Sequence, residues 1–455
     1  MNSLEKLFAE KRTENGDVAF NTTGDELIDI LFMSEYYGKH PQEALSKVAG
    51  TDELNQLFAM FIRDPRFGLG KKDLGVALEA VTGVSPENMA KAGRFDDIFR
   101  LSYTDTAHAK QFDEGLKYMW DQVLMGNELA KKWMPRFNTA NDHLAKELCK
   151  KLGVSQKFYR KAIKANTVEA KMSDHRFDDI NYEHVPSLAM IKYYNRFMAD
   201  PKFQKYIEEV KQGKKKINTS VTTVYDIYKN RDKIDADLFF DKLEKISISC
   251  IPILDTSGSM LDSNDSIGKA MSIAYYLAKC STYCPNQVVS FSSRPKLIKI
   301  KEQDYCTEAS WWNEDESYTR ISPKYGTANK FCRELNSMYT GDCSNTSWSS
   351  TIKLLSKLDK FPDYFVVLSD MEFDCGSHES YNQVMQLFKH NNVHTKIVWW
   401  NFNSRATTVP ELDENGNIFM SGYSPMLLKF LQAGFNGKLF LMKLLHEYYK
   451  NVNEI

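Results

Sequence analysis

The chain has 455 residues, of which 42% are hydrophobic, 26% charged and 13% aromatic, an ordinary globular composition that excludes a disordered, collagenous or coiled-coil chain. At roughly 100–200 residues per domain, this length implies two or three domains. Lys+Arg of 59 against Asp+Glu of 60 leaves a formal net charge of -1, so any affinity for nucleic acid or membrane must be regional.

The opening MNSLEKLFAEKRTENGD lacks the apolar core of a signal peptide. No later stretch approaches the roughly 20 uninterrupted apolar residues of a spanning helix. The expectation is a soluble cytoplasmic protein with no membrane partner. Up to about residue 235, apolar residues recur at helical spacing, as in Leu27, Ile30, Leu31 and Tyr36, or Leu188, Ile191, Tyr194 and Phe197. Breakers such as Asp64-Pro65 and Asp200-Pro201 separate the segments. The spacing predicts an α-helical, repeat-like region over 1–240, without an exact repeat period.

From Ile246 the texture changes. The runs ISISCIPIL (246–254), QVVSF (287–291), YFVVLS (364–369) and TKIVWW (395–400) read as strands buried on both faces. Helical segments near 266–281, 326–338, 347–358 and 379–390 separate them, NIFMSG (417–422) is a candidate last strand, and helices follow from Pro425. This alternation predicts a doubly wound, mostly parallel α/β domain over 241–455. The eight cysteines, at 149, 250, 280, 284, 306, 332, 343 and 375, form no CxxC pair. They read as reduced thiols, and Cys280 and Cys284, one helical turn apart, lack a second ligand pair for a metal.

The sharpest local signal is Asp255-Thr256-Ser257-Gly258-Ser259-Met260, directly after a hydrophobic strand and before a helix. Ligands of an open α/β sheet collect at the carboxyl ends of its strands, where this loop must lie. A hard cation wants oxygen ligands, and Mg2+ keeps several waters while bound by few protein groups. Asp255, Ser257 and Ser259 supply three oxygens, Thr346 sits just before a helix, and Asp370 ends a buried strand. The bland alternative is a capping turn, in which Ser and Asp are common.

These residues resemble the metal-ion-dependent adhesion site of von Willebrand factor A domains, with its DxSxS, distant Thr and distant Asp. The resemblance implies a Rossmann-like A-type fold in which Ser257, Ser259 and Thr346 touch Mg2+ or another divalent cation through hydroxyls. Asp255 and Asp370 would then act largely through water. An ion with neutral oxygens around it keeps positive charge and attracts a carboxylate or phosphate, here from an acidic protein partner. No catalytic residues are expected. FGLGKKD departs from the phosphate-binding GxxxxGK[ST] loop, and DTSGSM is not a GxSxG elbow. No His lies in the metal motifs, and His378 and His394 are peripheral.

The strings RDPRFGLGKKDL (63–74), INYEHVPSLAMIKYYNRF (180–197), VKQGKKKIN (210–218), SDMEFD (369–374), WNFNSRATTVPELDENGNIFMSGYSP (400–425) and LLKFLQAG (427–434) extend the match. They resemble a little-characterised family of plants, giant viruses and phages in which a helical region precedes an A-type domain. Its layout is similar to the Ro (TROVE) autoantigen, a ring of helical repeats closed by an A domain that binds small noncoding and misfolded RNAs. RNA is therefore an expected partner, as single-stranded ends or noncoding RNA.

Three basic patches meet that expectation. Between Lys146 and Lys171 lie eight cations, among them Lys157, Arg160, Lys161 and Lys164, against Glu147 and Glu169. Phe158 and Tyr159 interleave with them, placed either to stack on unpaired bases or to fill a core. Lys214, Lys215 and Lys216 precede the polar tract INTSVTT, and this GKKK also reads as a plain exposed turn. Arg63, Arg66, Lys71 and Lys72 flank Gly68 and Gly70, whose loop is a candidate phosphate cradle. Arg405, in the loop after a buried strand, reads either as an ion-pair partner of Asp374 or Glu372 or as a receiver of an acidic ligand. The expected function is a noncatalytic Ro-like RNA-binding protein. The competing expectation is a metal-dependent protein-interaction or assembly module without RNA binding, including a structural component of a virus or phage.

Overall fold

A computed structural model describes residues 10–12, 18–48, 50–101, 109–262, 264–304, 309–312, 318–321, 328–341, 346–372, 386, 394–403, 418–423, 427–428, 431 and 437–453. The chain divides into two compact units, one of residues 1–47 with 219–447, the other of 48–218 with 448–455. A single cut at 240 does not describe this.

The α/β unit is built on a six-stranded sheet. Its strands are β1 (Cys250–Asp255), β2 (Gln287–Phe291), β3 (Leu297–Lys299), β4 (Tyr364–Ser369), β5 (Lys396–Asn401) and β6 (Ile418–Ser421). The spatial order is β6-β5-β4-β1-β2-β3. All neighbours are parallel except β2 and β3, where Gln287 faces Lys299 and Val289 faces Leu297. Every residue of β1 and β4 is buried, which is why both read as unbroken apolar runs. β3 escaped the sequence reading because an edge strand of three half-exposed residues has no such run. The helices Ser266–Cys280, Lys330–Met338 and Trp348–Leu355 fall near their expected places. The expected helix near 379–390 lies outside the described residues apart from 386, as do Cys306, Cys343, Cys375, His378, Asp374 and Arg405.

Three helices expected in the N-terminal region belong to this α/β unit instead, one lying against the sheet and two against its helices. Helix Glu26–Phe32, started by Asp25 accepting from the Leu27 and Ile28 amides at 3.1 Å each, buries Ile30, Leu31 and Phe32. The Phe32 ring meets Phe419 of β6 edge-on at 5.2 Å, and Asn401 of β5 donates to the Phe32 carbonyl. Helix Val224–Asn230 begins with a reciprocal capping box between Thr223 and Asp226. Helix Ala236–Lys242 sets Phe240 against Tyr275, 4.8 Å between rings. All three bury apolar faces within the α/β unit. A two-stranded ribbon pairs Glu10–Arg12 with Val18–Phe20 in the region expected to be helical, and another pairs Ala309–Trp312 with Tyr318–Ile321.

The second unit is helical, as its periodicity predicts. Phe95, Ile98, Leu116, Met119, Trp120, Leu148 and Tyr159 share one core. Another focus is polar. Arg63 at the end of helix Glu53–Arg63 is buried and pairs with buried Asp97 at 2.6 Å, with Glu79 of helix Lys72–Thr82 close by. Burial and the neighbouring Asp97 carboxylate hold Glu79 well above the usual carboxylate range, against the opposing pull of Arg63. A raised folded-state value means that the folded chain keeps a proton that the unfolded chain releases. Stability from this group is thus full below the ordinary carboxylate range and declines as pH rises through the folded value. Glu79→Gln is expected to raise the thermal midpoint at mildly alkaline pH and flatten its decline. A lowered midpoint there would count against a protonated Glu79.

Candidate metal centre and basic helical surface

From β1 the chain passes to β2 and β3 on one side of the sheet, then returns to β4 on the other, so the strand order reverses between β1 and β4. Ligand crevices of open α/β sheets form beyond the carboxyl ends at such a reversal. Asp255 ends β1, and Asp370 follows the last residue of β4. The register pairs Leu254 with Leu368, which sets Asp255 beside Ser369. Asp255, Asp370 and Thr346 are all at most 1% exposed, and Ser257 is buried too.

The Asp255 carboxylate accepts from the Ser257 amide at 2.8 Å and from the Ser369 hydroxyl at 2.5 Å. The Ser257 and Ser259 hydroxyls lie 3.1 Å apart. Thr346 reaches the segment after β4, donating to the Glu372 carbonyl at 3.1 Å, while the Glu372 amide donates to Asp370 at 3.2 Å. Burial first, and then the charge of Asp370, push the Asp255 carboxyl above its usual range. Two buried carboxylates that repel one another, with the Ser257 and Ser259 hydroxyls on the loop after Asp255 and the Thr346 hydroxyl on the segment after Asp370, offer hard oxygens with excess negative charge. That chemistry fits a divalent cation such as Mg2+. No group of three or more His, Cys, Asp or Glu suited to a metal occurs among the described residues, so the candidate set depends on its hydroxyls. The sequence reading missed Ser369, although its place before Asp370 at the end of an apolar strand was a usable signal.

The basic patches fare unequally. The loop after helix Glu53–Arg63 is a structural bracket and not a phosphate cradle. Its amides are consumed, Gly68 and Gly70 donating to the Asp64 carbonyl at 3.1 and 3.0 Å, Leu69 to Phe61 and Lys71 to Ile62. A Cβ on Gly68 would come 1.8 Å from the Phe61 carbonyl oxygen, so the glycine serves close packing. Arg63 is buried against Asp97, a correction to its reading as a phosphate-binding cation. Arg66 pairs with buried Asp64 at 3.2 Å and also donates to the Lys91 carbonyl. Lys71 and Lys72 are half-buried, and the cations Arg94 and Arg100 add to burial in lowering the Lys72 ammonium below its usual range.

GKKK is the C-terminal turn of helix Pro201–Lys211. Gly213 takes φ +73°, and the Lys214 amide returns to the Glu209 carbonyl. Cations belong there because the helix end carries partial negative charge. Lys215 is held by Glu183 at 3.0 Å and Glu209 at 3.3 Å, while Lys214 and Lys216 are exposed. In the following tract Thr219 donates to the Lys242 carbonyl and Thr223 caps its helix.

The patch on helices Asp142–Lys151 and Gln156–Ala162 stays open. Lys150, Lys157, Arg160, Lys161 and Lys164 are all exposed, with no ion pair to a described carboxylate. Lys146 and Lys151 pair with Asp142 and Asp113. Arg160 lies over the Phe137 ring at 4.6 Å. Phe158 is 50% exposed beside these cations, whereas Tyr159 is fully buried, stacked on Trp120 at 5.7 Å and bonded to the Pro135 carbonyl. Of the two aromatics, Phe158 faces solvent and Tyr159 is core.

Comparison with known proteins places this patch in a matched region. Residues 121–247 match a domain family of unknown function, DUF2828, and residues 357–441 match a second, DUF7788. An uncharacterised protein of Acanthamoeba polyphaga mimivirus is 24% identical over 527 residues, covering 96% of this chain and 88% of the relative. The crystal structure of the Deinococcus radiodurans RO (RSR) protein aligns with 93% of this chain and 95% of its own, at 12% identity and a TM-score of 0.38. The fold assignment rests on the topology described above. No helix among the described residues is long and apolar enough to cross a membrane.

Proposed function

We propose that the chain is a noncatalytic RNA-binding protein of Ro-like layout, acting in the cytoplasm, whose helical unit takes single-stranded or structured noncoding RNA. The supporting observation is the row Lys150, Lys157, Arg160, Lys161 and Lys164 beside half-exposed Phe158. Cations without carboxylate partners are available to follow phosphates, and an exposed ring accepts an unstacked base. The α/β unit, read as an A-type domain holding Mg2+, either closes the scaffold or grips an acidic group. The second reading, a metal-dependent protein-interaction module without RNA, is favoured by the buried Asp255 and Asp370 pair, which calls for a cation.

One experiment separates the two. Labelled oligouridine is titrated into the full chain by fluorescence anisotropy over a salt series. Replacing Lys157, Arg160, Lys161 and Lys164 together by Ala is expected to weaken binding at least tenfold and flatten the salt slope by about 0.7 per lost phosphate contact. Asp255→Ala with Ser257→Ala should leave RNA affinity within twofold. Absence of oligouridine binding at low salt overturns the RNA reading. Loss of binding only in the Asp255 and Ser257 variant would favour a metal-borne contact.

A further inference from the structure

Strand β4 is buried at all six positions, yet its last residue is polar. A buried hydroxyl at the end of an apolar strand needs partners, and Ser369 has two. Its Oγ donates to Asp255 Oδ2 at 2.5 Å and accepts from the Met371 amide at 3.1 Å. With the Ser257 amide on Oδ1, both oxygens of Asp255 are pinned. Met371 itself is 2% exposed and takes φ +68°, the left-handed region. A side-chain-bearing residue holds that conformation only where its surroundings over-determine it. The bend at Met371 directly follows Asp370. It thereby brings the Glu372 amide to Asp370 and the Glu372 carbonyl to Thr346.

We propose that Ser369 is a positioning residue of the cation site, its hydroxyl clamping the Asp255 carboxylate to the Met371 bend so that Asp255, Asp370 and Thr346 are held toward one ion. This inference rests on the divalent-cation reading above. Residues that orient metal ligands through a hydrogen bond typically change metal affinity by about 10–100-fold when removed.

The test is Mn2+ binding to the full chain, followed by electron paramagnetic resonance, alongside the metal-free thermal midpoint. Ser369→Ala is expected to weaken Mn2+ binding by roughly 10–100-fold, and Ser369→Thr, which keeps the hydroxyl, to restore it to within a few-fold of the parent. Should the alanine chain not fold, Ser369→Cys keeps the volume with a weak donor and is expected to bind less tightly than Ser369→Thr. Parent-like Mn2+ affinity in the Ala or Cys chain overturns the positioning role. So does a fall in the metal-free midpoint with affinity unchanged. No Mn2+ binding by the parent chain overturns the cation reading, and this inference with it.

Discussion

Arg63→Met is expected to destabilise the helical unit by about 3–5 kcal/mol, the usual cost of removing one partner of a buried ion pair. Arg63 Nε and Nη2 both engage Asp97 Oδ2, at 2.8 and 2.6 Å, in a site where Arg63 is 3% exposed and Asp97 is inaccessible. Asp97 also accepts from the Arg94 amide at 2.9 Å, which ties the turn Phe95–Arg100 to the same point. With the guanidinium gone, Asp97 and the nearby Glu79 would share an uncompensated buried environment. Faster amide exchange across Glu53–Arg63 would register the loss, and Arg63→Met with Asp97→Leu should recover much of it. A single-variant loss below about 1 kcal/mol would show that water or relaxation replaces the pair. RNA affinity per folded molecule should not change, because this arginine is structural.

Mg2+ at a hundredfold excess over its dissociation constant should stabilise the α/β unit by about 2.7 kcal/mol, the mass-action value for a ligand that binds only the folded state. The pH dependence carries the sign. Without the ion, burial and Asp370 raise the Asp255 carboxyl, so the folded state holds a proton that the unfolded state releases. Metal-free stability is then fully present below the ordinary carboxylate range and lost as pH rises through the folded value. A cation favours the ionised pair and should flatten or reverse that slope. Asp255→Ala should abolish the Mg2+ response while removing the metal-free penalty. Thermal midpoints with Mg2+ and with a chelator, across the acid to neutral range, decide it. Identical curves in the two conditions would falsify a divalent-cation site.

Runs such as QVVSF and YFVVLS mark their strands residue for residue, because a parallel strand covered on both faces can contain little but apolar side chains. Strand direction then determines that Asp255 and Asp370 lie at carboxyl ends, so the candidate site was legible before any coordinates. The Ser369 bond across β1 and β4 was not legible, since it depends on which strands are neighbours and in what register. The fate of the basic residues was equally hidden. Arg63 and Arg160 look alike in a local window, yet one is buried against a carboxylate 34 positions away and the other stands in solvent over Phe137. Nor does periodicity say that residues 26–32 and 224–242 pack within the α/β unit. An amphipathic helix announces that it has an apolar face, whereas its covering surface is chosen by long-range packing.

The sequence alone therefore determined five of the sheet's six strands, the end at which its polar loops gather and the oxygen-rich chemistry of the candidate centre. Only the tertiary structure decided which cations stay available, which segments belong to which unit and how Asp255 is held. Burial and ion pairing are properties of residues brought together across the chain, and no local pattern encodes them.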